Sequence, residues 1–345
     1  MTCTGFPPGA FFYFKLHCLA MVLIGIILGL GSALCSSLAY LASRRFTVRH
    51  AGHEEKEPRW RGPLRLMVCS HVMLSIICGG AFLILMPRDS AAQPADLPWA
   101  ITTTIFVALF YLTGNTLLFF ALRRTEASRI APLLGMKVVL LALATQFVLG
   151  DTLQTQQWVA VVLATAAAWV LGSSGGRLPI STMAIALGSC AGFVCSDIFI
   201  SKMVPAWLPA GADYEVVKQT DGPALVKASM TGMTLVYVWC GVLAVALLPA
   251  AKPWQRGHWK GSAPYAASWL TAMICLFSCF ALTNIILGNI LQSTRGLMSI
   301  ALGVFIVKLG HHHIESHAPL RVVLQRGVAA AMMVGAIALY VTAKK

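Results

Sequence analysis

The chain has 345 residues, 58% of them hydrophobic and only 11% charged, with a mean hydropathy of +0.76. That profile excludes a water-soluble globular domain. The formal net charge of +14 is not a nucleic-acid signal, because the basic residues sit in connections between apolar runs rather than on one soluble face; they report on topology and on contact with anionic lipid.

A bilayer's hydrocarbon core takes about 20 apolar residues per helix. Ten such runs follow one another, at 19–41, 66–86, 99–122, 127–149, 158–171, 180–203, 225–248, 262–287, 291–308 and 321–341. The expected fold is therefore all-α, a polytopic membrane bundle of ten transmembrane helices. Connections such as "GDTLQTQQ" and "SSGGRLP" leave no room for a soluble domain, and the longest, 205–224, holds at most a lateral helix. The first run is longer than a signal-peptide core and "GSALCSS" fits a cleavage or lipidation site poorly, so a retained helix is expected. The ten cysteines, among them Cys35, Cys69, Cys190, Cys195, Cys275 and Cys279, lie almost all within apolar runs and form no CxxC pair. They read as small packing residues, not as disulfide partners or zinc ligands.

The first connection is strongly basic, with Arg44, Arg45, Arg49, Lys56, Arg59, Arg61 and Arg65. In all, 17 of the 26 Lys and Arg fall on its side of the membrane and 8 on the other, with Lys137 between. The positive-inside rule then puts both termini outside.

The halves can be overlaid. "LLFFALRRTEASRIAPLLG" (117–135) set on "ILGNILQSTRGLMSIALGV" (286–304), an offset of 169, pairs Leu122 with Leu291 and Thr125 with Thr294. In each, an apolar helix ends in a tight polar corner and another begins at once. Five helices per half is an odd number, so the second copy enters from the opposite side, which gives a 5+5 inverted repeat with halves 1–172 and 173–345.

The stretch "LLFFALRRTEASRIAPLLGMKVVLLALATQFVLGDTLQTQQWVAVVLATAAAWVLG" resembles the end of an EamA-type module of the drug/metabolite transporter superfamily. There a third helix ends in an "AL...t.as" corner, the fourth runs to "lgE", and a "Q-x-x-G"-like start opens the fifth. Asp151 stands where that family usually has Glu, and the second half carries "LGHHHIES" instead of the corner. The resemblance implies a ten-helix permease, usually an exporter of small metabolites or drug-like solutes, in a bacterial inner membrane. It also implies cytoplasmic termini, against the charge count.

A charge at bilayer depth costs from a few to over ten kcal/mol unless it meets water or a partner. Lys137, in "PLLGMKVVLLALATQFVLGD", lies about 15 Å along its helix. It reads either as a cavity-facing cation that binds an anionic group or alternates with a proton, or as a structural partner of a neighbouring helix. Asp197 is the acid well inside an apolar run, roughly 26 Å along a helix that enters from the same side. The axial gap of about 10 Å favours a shared watery space over a direct salt bridge, and Lys202 is the alternative partner. Asn115, Asn284, Asn289, Gln292 and Arg295 form a second polar set. Asn289 and Gln292, and Gln292 and Arg295, are three apart and are expected to share a face that lines a pathway; amides also act as interhelical glue. Gly25, Gly29 and Ser32, and Gly188 with Gly192, are spaced for close helix approach.

His311, His312, His313, Glu315 and His317 could attract a metal ion, but no second cluster completes a coordination sphere, so a solvated, pH-sensitive loop is expected and no cofactor. GxSxG, HExxH and P-loop signatures are absent, which argues against an enzyme or an ATP-driven pump. What remains is a secondary carrier of a small solute, proton-coupled, acting in the bilayer as monomer or homodimer without nucleic acid. Two rivals persist. A divalent-cation transporter of magnesium type should carry more intramembrane acids than bases, and a membrane-embedded enzyme or assembly protein should show a dense catalytic cluster.

Overall fold

The computed structural model describes residues 8–51, 58, 60–89, 93–124, 127–150, 152–172, 179–298, 302 and 320–343. Its helices are α1 (Pro8–Ala51), α2 (Arg61–Leu85), α3 (Leu97–Arg124), α4 (Ala127–Ala144), α5 (Thr155–Gly172), α6 (Ile180–Ala206), α7 (Tyr214–Thr220), α8 (Gly222–Ala246), α9 (Leu248–Ala251), α10 (Arg256–Leu282), α11 (Ile285–Ser293) and α12 (Leu320–Thr342). No strand occurs among the described residues; one isolated bridge pairs Pro94 with Pro209.

Among the described residues, six helices are long and apolar enough to cross a membrane: Leu19–Ser43 within α1, α2, Leu97–Ala121 within α3, α6, α8 and α10. Leu134–Leu149, Thr155–Val170 and Gly327–Thr342 are shorter apolar helices. Nine of the ten expected runs thus hold a helix, and half of the ninth, 291–308, lies outside the described residues. Leucines and isoleucines such as Ile27, Ile76, Leu83, Ile84 and Ile180 stay exposed, while alanines, serines and threonines fill the interior. That inversion suits helices whose backbone bonds are all internal and whose outer faces meet lipid.

The expected eighth run is not continuous. α10 stops at Leu282, Thr283 takes φ −122° and ψ −101°, and α11 starts at Ile285. The cause is local: the Asn284 side chain accepts the Leu287 N–H at 2.8 Å and so caps a new helix, and the Thr283 hydroxyl folds back on the Cys279 carbonyl. α11 then ends at Ser293, 169 residues beyond the end of α3 at Arg124.

In the longest connection Asp213 caps α7 and Asp221, with Pro223 following, caps α8, so the lateral helix is a single short piece. Arg65, counted above with the loop, is instead buried, its Nε donating to the Ala251 carbonyl and its Nη1 beside His258 Nε2.

The helices pair off. α3 lies on α6, α1 on α10, α2 on α8 and α5 on α12, while α4 packs against both α5 and α6 and α11 touches α1, α4 and α12. The small residues sit at these seams. A Cβ on Gly192 of α6 would stand 2.9 Å from the Gly114 Cα of α3, and one on Gly25 of α1 would run into the Thr283 side chain.

Candidate functional site

α4 begins at Ala127 and carries Lys137 to the face that packs on α6. There the Lys137 ammonium reaches the Asp197 carboxylate, Nζ to Oδ2 at 2.8 Å, with side chains only 17% and 7% exposed. The expected 10 Å gap does not exist. α6 has 27 residues, about 40 Å at 1.5 Å per residue, so it overshoots a hydrocarbon core about 30 Å thick and counting from its first residue overstates the depth of Asp197.

The same carboxylate oxygen accepts the Asn289 Nδ2–H of α11 at 2.7 Å, and Asn289 donates its other proton to the Ile285 carbonyl at 2.7 Å. Lys137 also stands 5.4 Å above the Phe193 ring, one helical turn before Asp197. Four elements of one site are thus in contact: a cation on α4, an acid and an aromatic ring on α6, and an amide on α11. A buried ion pair holds only if such additional donors satisfy it, and here Asn289 is that donor. The π turn Thr145–Leu149, closed by Gly150 at φ 75°, ends α4 two turns further on.

The other expected residues divide. Asn289 and Gln292 do not share one partner. Asn289 points to α6, whereas Gln292 meets α1, its Oε1 3.5 Å from the Ser32 hydroxyl and its Nε2 3.4 Å from that of Ser36. Three residues on one helix differ by about 60° around the axis, which is enough to face two neighbours. Gln292 and Arg295 do stay together: the Arg295 guanidinium lies 5.6 Å above the Tyr40 ring of α1, and the Ser37 hydroxyl donates to its carbonyl. Asn284 is a cap, which also accepts the Tyr340 hydroxyl at 3.3 Å. Asn115 is buried at 3% exposure, and its Nδ2 has no partner among the described residues. The His311–His317 run and Asp151 lie outside the described residues.

One group escaped the sequence reading. His71, in the middle of α2, is wholly buried. Its Nδ1 lies 2.8 Å from the Met67 carbonyl, which can only accept, so Nδ1 carries the proton and Nε2 accepts the Tyr111 hydroxyl at 3.2 Å. Tyr237 stacks on His71 and takes a hydrogen bond from Trp269, which stacks in turn on Tyr265. Tyr111 adjoins Phe193 at 6.3 Å, so this aromatic column continues up to the lysine. The signal was present: a titratable ring inside the apolar run "LMVCSHVMLSII".

Residues 23–173 match the model of the EamA-like transporter family. The first half is EamA-like. The resemblance expected for this part of the chain is thus borne out over those residues, and the matched family is one of membrane transporters. No curated protein matches the chain significantly. A solved structure described only as "Crystal structure of protein" shares the fold, with a TM-score of 0.58 at 14% identity, over 93% of this chain and 97% of its own.

Proposed function

We propose that the protein is a secondary active carrier that exports a small organic solute across a bacterial inner membrane, by alternating access between two inverted five-helix halves, 1–172 and 173–345. The observation that carries this reading is the Lys137–Asp197–Asn289 cluster, which ties α4 of the first half to α6 and α11 of the second. A contact across the seam between halves is made and broken when the halves rock against one another.

The packing supports the repeat. Under the overlay, α1, α2, α3 and α5 correspond to α6, α8, α10 with α11, and α12, and the pairs α3 with α6 and α1 with α10 exchange, while α2 with α8 and α5 with α12 each join a helix to its own counterpart. The glycines follow: Gly25 of α1 faces α10, and Gly192 of α6 faces α3. Coupling to protons fits a site that holds a carboxylate away from lipid.

The test is flux of a solute panel in proteoliposomes under an imposed pH gradient. Wild type should move at least one solute, Lys137→Ala should abolish that flux in folded protein, and Asp197→Asn should free it from the pH gradient. Unchanged flux in both variants would remove the cluster from the transport site.

A further inference from the structure

We propose that the solute is a small organic anion, and that its carboxylate displaces Asp197 from Lys137 and brings one proton with it, taken by Asp197. The inference rests on the carrier reading above and names the substrate class of the same site.

The ion pair is self-complementary. Lys137 has one acid partner, Asp197, and Asp197 is held from the other side by Asn289. Any anion that binds the ammonium must compete with a carboxylate already 2.8 Å away, so the internal acid acts as a stand-in for the ligand. Lys137 remains partly open, at 17% exposure, over the flat face of Phe193, whereas Asp197 lies deeper. An incoming group therefore reaches the cation before the acid.

A second observation points to an acceptor-bearing ligand. Gly114 of α3 abuts Phe193, the ring beneath the lysine, and the next residue is Asn115, 97% buried with an amide nitrogen that no described group accepts. An unmade hydrogen bond in such a place is unfavourable and is retained only where something offsets it. Asn115 follows Tyr111 by one helical turn, and Tyr111 touches Phe193, so the unused donor belongs to the neighbourhood of Lys137. A carboxylate, with two acceptor oxygens, satisfies the ammonium with one and the amide with the other. Phe193 and Tyr111 then offer their faces to an apolar or aromatic body.

The proton follows from charge balance. Paired with each other, Lys137 and Asp197 sum to zero. Once the anion takes the lysine, Asp197 remains buried with only the Asn289 amide, and an unpaired ionised carboxylate in such surroundings is far dearer than its neutral acid. It takes a proton from water, with its second oxygen still accepting from Asn289, and the site sums to zero again. No other described charge is placed to replace the lysine. The elements packed on α6 bring Tyr111 from α3 and Tyr237 from α8, with His71 behind them, all engaged in the aromatic column. Arg295, beyond α11, is turned to Tyr40, and α6 itself adds Cys190 and Cys195. Anion and proton then cross together, and transport is electroneutral.

The test counts protons. The full chain in nanodiscs is titrated calorimetrically with benzoate, phenylacetate and indole-3-acetate at pH 7, in two buffers of different ionisation enthalpy. Wild type should take up about one proton per anion bound. Asp197→Asn, which gives the lysine no internal competitor, should bind the same anion about tenfold or more tightly with no proton uptake. The neutral pair Lys137→Gln/Asp197→Asn, which leaves no buried charge to unfold the protein, should lose binding. Anion binding without proton uptake in wild type overturns the coupling; folded Asp197→Asn that binds none of the three anions overturns the anion site. The carrier reading falls separately: flux of a cationic or neutral solute with no anion binding keeps the carrier and removes this proposal, while anion binding with proton uptake but no flux does the reverse.

Discussion

Asn115 and Asn284 are 169 residues apart, the offset that overlays the two halves, yet they do opposite things. Asn284 opens the chain: with Thr283 out of helical geometry, its side chain accepts the Leu287 N–H and starts α11. Asn115 sits within an unbroken α3, buried, with its amide nitrogen unused. The same residue type at matching positions therefore serves the backbone in one half and, under the proposal above, is left available to a solute in the other. The break also places Asn289 on a separate short helix that can face Asp197, whereas α3 brings no amide there. Under the proposed inverted repeat the two halves divide the work, the second shaping the site and the first supplying its cation and its spare donor.

The largest expected effect comes from splitting the ion pair. Lys137→Ala leaves Asp197 buried beside a single amide and should cost about 3–5 kcal/mol, with flux lost. Lys137→Gln/Asp197→Asn, which removes both charges, should recover most of the thermal stability in nanodiscs but not the transport. A double variant as unstable as the single one would mean that the pair is needed for folding in its own right.

The seams separate next. At Gly192 an added Cβ meets the backbone of Gly114 at 2.9 Å, which cannot turn aside, so Gly192→Ala should cost about 1–3 kcal/mol by pushing α3 from α6. Gly188→Ala, where the nearest atom is the end of the Leu117 side chain at 3.3 Å, should cost less than about 1 kcal/mol. Thermal unfolding of the two variants checks the order; equal losses would show that the seam yields as a whole.

Much of this was legible in the sequence. Nine of the ten apolar runs read from the sequence hold a helix among the described residues, because a bilayer leaves the backbone no alternative to internal hydrogen bonds. Lys137, Asp197 and Asn289 stood out because a polar group in such a run is rarely idle. The direct contact between lysine and acid was not legible, since it depends on where α6 enters the membrane and not on residue counts. Nor was the break at Thr283, where a one-residue cap overrides an apolar pattern that continues through it. His71 went unnoticed because the charge count passes over histidine, although its run is as apolar as that around Lys137.

The two asparagines give a smaller and sharper contrast. Asn284→Ala removes a helix cap and should cost about 1 kcal/mol, with the Tyr340 hydroxyl left to find another acceptor. Asn115→Ala removes no side-chain hydrogen bond among the described residues and deletes a buried unpaired donor, so stability should hold or rise by about 1 kcal/mol, while anion affinity falls. Loss of stability at Asn115 with affinity intact would reverse the assignment of roles between the halves.

The smallest effect separates the aromatic column from the site it leads to. Tyr111→Phe keeps the ring against Phe193 but strips the hydroxyl that His71 Nε2 accepts. The imidazole, fixed by its bond to the Met67 carbonyl, cannot turn to another donor, so one buried acceptor is left unpaired at about 1 kcal/mol. Because the Lys137–Asp197 pair does not include that hydroxyl, proton uptake per anion should stay near one in this variant, with only the melting temperature lowered. If proton uptake vanishes instead, the proton reaches Asp197 by way of His71 and Tyr111, and the column is a conduit as well as a wall.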